Sequence, residues 1–113
     1  MPIQLVQEGD VFVVQVEGEL NHHAAEVLRA EIESALDQEA CDFIVDMSDC
    51  TGIDSNGLET LTWLDRQCRE RLGMCKMCMV GEDLMRVLAI TRLENQLDIC
   101  QTADHAMAEL KSA

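Results

Sequence analysis

The sequence predicts an α/β fold: a mixed β-sheet of four to five strands with about four helices packed on it. Three observations lead there. Short β-branched or apolar stretches recur at Ile3–Val6, Val11–Glu17, Phe43–Val45, Met74–Val80 and Leu97–Cys100. Between the later stretches the apolar spacing changes to the three- and four-residue period of helices. The first two strands follow one another directly, and after them helices and strands alternate.

Each element has its own justification. Ile3–Val6 is a short first strand, and Glu8-Gly9-Asp10 is a turn signal that makes a hairpin with the next. In Val11–Glu17, Val11, Val13 and Gln15 face one way and Phe12, Val14 and Val16 the other. The near-continuous apolar run Val11–Val14 implies burial on both faces. Gly18 to Asn21 is a loop, with Asn21 as N-cap of a helix reaching about Leu36. Ala24, Val27, Leu28, Ile32, Ala35 and Leu36 line its apolar face, and no Gly or Pro interrupts it.

Phe43–Val45 reads as a buried strand, followed by a polar turn through Asp46, Ser48, Asp49, Thr51 and Gly52. From Leu58 the spacing Leu58, Leu61, Trp63 or Leu64, Cys68, Leu72 is helical, and Gly73 stands where a C′ residue ends the helix. Met74–Val80 is the next strand. A third helix spans Glu82–Ile90, with Leu84, Val87 and Leu88 inward and Arg86 outward. Leu97–Cys100 is a short last strand, and Thr102 or Asp104 caps a final helix ending near Lys111. The crossovers between parallel strands should be right-handed.

The 113 residues are expected to form a single domain, 1–113. A chain of that length buries roughly two-thirds of the surface its unfolded form exposes, enough for a core without staples. No apolar run approaches the roughly 20 residues of a membrane span. The N-terminus lacks the basic and hydrophobic regions of a signal peptide, so a cytoplasmic location is expected. Six cysteines in that setting are expected to be reduced thiols, most of them within apolar patterns.

A net charge of −14, from 22 acidic and 8 basic residues, argues against nucleic acid or an anionic membrane as a direct partner. It permits steering toward a basic protein surface, and it also serves solubility.

The chemistry concentrates at Asp54-Ser55-Asn56-Gly57-Leu58. A strand, a tight loop and a helix start meet there, holding a hydroxyl at the junction. A helix start carries unpaired N–H groups and the positive end of the helix dipole, so it suits an anion and a phosphate in particular. The residue types allow two readings. In one, Asp54, Ser55 and Asn56 only cap the helix, with Glu59 completing a capping box. In the other, Ser55 is an exposed acceptor of phosphate, with Gly57 keeping the backbone clear of bulk. Phosphorylation adds about −1.5 to −2 charges and three strong acceptors. The free N–H groups would partly compensate that charge, while a docked partner would meet a new dianion.

This pentapeptide resembles the phosphorylation motif of anti-anti-sigma factors in the STAS family, where Asp-Ser-Ser/Thr-Gly-Leu follows a strand. Gly18-Glu19-Leu20-Asn21-His22-His23, with Ala25-Glu26, resembles the family's second signature, a Gly-Glu-Leu-Asp turn that opens the first helix. Arg86, Leu88, Thr91 and Leu93 fall at the family's third helix and following turn. The resemblance implies the STAS fold and a partner-binding face of Asn21, His22, His23, Asp54, Asn56 and Gly57 around Ser55. It implies an anti-sigma factor with serine kinase activity of the GHKL type as partner. That kinase would bind the unphosphorylated chain and modify Ser55, and a PP2C-type phosphatase would reset it. A monomer is expected when the chain is free. The alternative within the same fold is a constitutive scaffold subunit of a signalling or transport complex. Asn21 stands where the family has Asp, losing a charged contact, and Asn56 where it has Ser or Thr, removing a second hydroxyl.

Two other motifs carry less. His22 and His23 are adjacent, and neighbours on a helix point about 100° apart with no third ligand at a diagnostic spacing, so no metal site is expected. Cys75-Lys76-Met77-Cys78 is a CxxC on a strand, where alternation puts the thiols on opposite faces, unable to share a metal or a disulfide. The small redox or metal protein it would otherwise suggest ranks last. Met74, Met77, Met79 and Met85 read as adaptable core. No nucleophile–base pair, Gly-rich phosphate loop or paired carboxylate set is recognisable, so neither an enzyme nor a cofactor is expected.

Overall fold

A computed structural model of the chain describes residues 3–112. The order is β1 (Ile3–Glu8), β2 (Val11–Leu20), α1 (His22–Asp37), β3 (Asp42–Ile53), α2 (Ser55–Glu70), β4 (Cys75–Cys78), α3 (Glu82–Ile90), β5 (Asp98–Cys100) and α4 (Ala103–Ser112). One five-stranded sheet runs β1-β2-β3-β4-β5. The β1–β2 pair is an antiparallel hairpin and the other three pairs are parallel, so the sheet is mixed as its sequence pattern predicts.

The alternation along each strand sorts side chains onto two faces. Val14, Val16, Phe43, Val45 and Met77 pack under α1, α2 and α3, against Leu28, Ile32, Leu61, Leu64, Leu84 and Leu88. Val11, Ile44, Cys78 and Cys100 point the other way and are covered by α4 through Ala106. Val11–Val14 therefore does serve both faces, with only Val13 left half-buried. Cys75 belongs to the first core and Cys78 to the second, so the CxxC thiols lie on opposite faces. All six cysteines are free thiols. The methionines divide: Met77 is buried, but Met79 adopts φ 58°, ends β4 early and is 44% exposed. No helix among the described residues is long and apolar enough to cross a membrane.

Two expected irregular segments are strand. Of the loop expected at Gly18 to Asn21 only Asn21 stays outside a strand, and that loop and the polar turn at Asp46 to Gly52 are otherwise replaced by extensions of β2 and β3, which pair with each other. Glu17 lies opposite Asp49, Gly18 opposite Cys50, Glu19 opposite Gly52 and Leu20 opposite Ile53. Register shifts between Gln15 and Glu17 and between Gly18 and Glu19 bend this ribbon, and Gly18 takes φ 80° there. Because β4 pairs only with Phe43 to Asp46, the far half of β3 has β2 alone as neighbour. Ser48 and Asp49 are exposed there, so the stretch has the composition of a turn and the hydrogen bonding of a strand.

The end of α2 also differs from expectation. Gly73 is not the left-handed residue; Leu72 is, at φ 60° and 96% exposed. The Leu72 amide donates to the Arg69 carbonyl at 3.1 Å and the Gly73 amide to the Cys68 carbonyl at 2.8 Å, which is a Schellman closure with Leu72 at C′. Gly73 is glycine for another reason. A Cβ there would collide with the Cys41 carbonyl oxygen and lie 2.6 Å from its carbon. Leu72 carries left-handed strain without burying anything in return. Leu72→Gly should therefore raise stability by about 0.5–1 kcal/mol, after allowing for the greater freedom of glycine in the unfolded chain. The midpoint of urea unfolding measures it.

Candidate functional site

The β2–β3 ribbon delivers two helix starts to the same place. Asn21 follows the last residue of β2, and its side-chain oxygen accepts from the Ala24 amide at 3.0 Å, capping α1. Asp54 follows the last residue of β3, and its carboxylate accepts from the Gly57 amide at 3.0 Å, capping α2. Leu20 and Ile53 are register partners, so these caps stand side by side. The Asp54 amide donates to the Leu20 carbonyl at 3.3 Å and ties the second helix start to the end of the first strand.

Gly57 lets the two approach. A Cβ there would collide with the Leu20 carbonyl oxygen and meet Ile53 Cγ1 at 2.7 Å and Leu20 Cγ at 2.9 Å. The sequence indicates an open backbone at Gly57; the structure shows a filled one, with the glycine buried against Leu20. Nothing in the local pattern reveals that contact, because Leu20 lies 37 positions earlier in the chain.

Asp54 sits at the focus of this corner. The Gly57 amide, foremost, holds its carboxyl below the ordinary carboxylate range, and the Asn56 amide and side chain and the His22 amide act the same way. The carboxylate thus caps α2 directly through the Gly57 amide, and the start of α1 adds a smaller influence of the same sign through His22. The anion expected at the start of α2 is already present in the chain, and fewer free N–H groups remain for a second one than its sequence suggests. With Asp54 as N-cap the third helical residue is Gly57, so Glu59 completes no capping box. It lies exposed one turn further on.

Ser55 is the first residue of α2 and is exposed. Asn21, His22 and His23 are exposed beside it, and Asn56 is half-buried. The structure brings Asn21, His22, Asp54, Ser55, Asn56 and Gly57 into one corner. His23 follows on the next position of α1. His22 is engaged with Glu26, Nε2 to Oε1 at 3.1 Å. Among the described residues, Asp98, Cys100 and Glu109 are the group whose ligand atoms converge within 4.8 Å, and the Lys76 ammonium already lies against both carboxylates, at 2.5 and 2.7 Å. Neither the paired histidines nor the CxxC belongs to such a group.

Comparison with known proteins agrees with this architecture. Residues 2–106 match the model of the family described as the STAS domain. The chain is 24% identical over 112 residues to an anti-sigma F factor antagonist of Paenibacillus polymyxa, spanning 98% of this chain and 96% of that one. An anti-sigma factor antagonist structure from Mycobacterium paratuberculosis superposes with a TM-score of 0.85 at 21% identity, covering 96% of this chain and 92% of that one. The Bacillus cell fate determinant SpoIIAA in its phosphorylated form superposes with a TM-score of 0.76 at 24% identity, covering 95% and 97%.

Proposed function

This chain belongs to the STAS domain family, and on that premise we propose that it acts as an anti-sigma factor antagonist, a protein-binding module switched by phosphorylation of Ser55. The observation that carries the proposal is the side-by-side placement of both helix starts, tied by the Asp54 amide to the Leu20 carbonyl, with the Ser55 hydroxyl exposed at the same corner. The resemblance to SpoIIAA, known in a phosphorylated form, supports the same reading. The whole chain, 1–113, works as one domain and is a monomer when free.

In this reading the partner is an anti-sigma factor with GHKL-type serine kinase activity, and a PP2C-type phosphatase reverses the modification. The chemistry belongs to those partners; this chain is ligand and substrate. Asn21, His22, His23, Asp54, Asn56 and Gly57 form the contact face around the hydroxyl. A phosphate on Ser55 adds charge beside the Asp54 carboxylate, whose capping bond occupies the Gly57 amide. The new dianion is therefore poorly neutralised and must be desolvated against any docked surface. Unphosphorylated chain binds; phosphorylated chain is released.

Ser55→Asp should weaken binding to the cognate anti-sigma kinase by at least about tenfold, equivalent to about 1.4 kcal/mol. Ser55→Ala should bind as the unmodified chain does and resist release by ATP. Titration of the two variants against the kinase measures both. Equal affinities, together with an unmodified intact mass from the native host, would turn the assignment to a constitutive scaffold subunit.

A further inference from the structure

Beyond the Ser55 corner, a groove of about 440 Å³ runs along α2. Leu58, Trp63 and Leu93 give it an apolar lining, Arg29 and Arg66 line it with cations, and Glu59 stands in its wall. Leu58, Glu59, Thr62 and Arg66 follow Ser55 at intervals of three, four, seven and eleven residues. They therefore continue the helix face on which the serine lies. The groove and the serine belong to one continuous surface.

The contents of the groove are unusual for this molecule. The chain has a net charge of −14 and a single tryptophan. That tryptophan is only half-buried, with the Arg29 guanidinium 4.3 Å from its ring centre. Four of the other five arginines are engaged, Arg69 with Asp65, Arg86 with Asp83, Arg71 with Gln67 and Arg29 also with Glu33, and the fifth, Arg92, does not line the groove. Arg66 has no ion-pair or hydrogen-bond partner among the described residues, and it is exposed. An exposed guanidinium beside a tryptophan and two leucines has the make-up of a binding hot spot, where Trp and Arg are enriched.

We propose that this groove receives an acidic amphipathic helix of the partner protein. Apolar side chains of that helix would rest on Leu58, Trp63 and Leu93, and a carboxylate would pair with Arg66. The proposal rests on the reading of the Ser55 face as a partner-binding face. Its polarity follows from charge. The carboxylate belongs at the Arg66 end, since Glu59 repels it at the other. Phosphate on Ser55 would add to the repulsion of Glu59 at that end, linking the groove to the switch.

The full chain tests this with two capped synthetic helical peptides. One carries leucine and glutamate at alternate helical faces; the other has lysine in place of every glutamate. Trp63 reports directly, because the chain has no second tryptophan, and calorimetry in parallel covers a silent fluorophore. The acidic peptide should bind saturably and at least about tenfold more tightly than the basic one, against the net charge of the chain. Arg66→Glu should weaken the acidic peptide about tenfold. Lys111→Glu changes the net charge equally, on the α4 side of the sheet, and should change affinity less than about twofold at moderate salt. No saturable binding of the acidic peptide, a preference for the basic one, or indifference to Arg66→Glu would overturn the proposal. The assay contains no kinase and needs no modified serine, so failure here leaves the Ser55 switch standing. Conversely, loss of that switch does not alter this result.

Discussion

Replacing both Asp98 and Glu109 by their amides will destabilise the fold by about 3 kcal/mol, while Lys76→Met will change it by less than about 1 kcal/mol. The asymmetry follows from where the charges sit. Lys76 lies inside a strand, its side chain only 3% exposed, on the sheet face that α4 covers. Asp98 is its register partner on β5, at 2.5 Å, and Glu109 reaches it from α4 at 2.7 Å. Burial pushes the Lys76 pKa down, and the two carboxylates more than offset it, so the amine stays protonated above the ordinary lysine value. Removing both carboxylates strands a buried ammonium. Removing the ammonium leaves carboxylates that are half-exposed and still hydrated, with methionine filling an apolar setting.

The pH dependence has a definite sign. The Lys76 hydrogen bond, foremost, holds Glu109 below its ordinary value of 4.5. Its contribution is present above that value and is lost as pH falls through the lowered one. The Lys76 contribution is present below 10.5 and is lost as pH rises through its raised value. In the double amide variant the stranded amine can shed its proton, so the deficit should shrink as pH rises. Urea unfolding across pH measures both the size and the trend. A deficit independent of pH, or an equal loss for Lys76→Met, would contradict this account.

Gly57→Ala is expected to lower stability by about 2–3 kcal/mol and to open the corner where the two helix starts meet. The added methyl has nowhere to go. It meets the Leu20 carbonyl oxygen, which is backbone, as well as Ile53 Cγ1 and Leu20 Cγ at 2.7 and 2.9 Å. Relief requires α2 to move away from the end of β2, which weakens the bond from the Asp54 amide to the Leu20 carbonyl. Partner affinity should fall with it, even though Ser55 is intact. Gly52→Ala is the control: a Cβ there finds its nearest neighbour at an ordinary 3.6 Å, in the flexible side chain of Glu19. It should stay within about 0.5 kcal/mol of the parent. Amide hydrogen exchange at Asp54 and Gly57 would show directly whether the corner has opened.

These two cases mark the boundary between what is local and what is not. Helix α1 was legible because its cap and apolar stripe lie within sixteen neighbouring residues, and Asn21 does cap it. The hairpin was legible from Gly9 and the flanking alternation, and Gly9 does turn at φ 63°. Asp54-Ser55-Asn56-Gly57 was legible as a helix start next to a strand for the same reason. The polar ends of β2 and β3 have the composition of loops, because their pairing satisfies the backbone without any apolar side-chain pattern to announce it. The sequence pattern places the helix-ending turn at Gly73, although the requirement for glycine there comes from Cys41 across the fold. A lysine within the apolar run of β4 was visible, but its two carboxylates come from 22 and 33 positions later.

By itself, then, the sequence determined the order of strands and helices, the two caps, the exposed hydroxyl at Ser55 and the acidic surface. Each depends on contacts between near neighbours or on composition. Only the tertiary structure decided that both helix starts meet at one corner, that Gly57 is packed against Leu20, and that Trp63, Arg29, Leu93 and Arg66 line one groove. Those juxtapositions come from the parallel pairing of β2 with β3 and the packing of α1 beside α2. Such pairings join residues tens of positions apart, and no local spacing encodes which of them will touch.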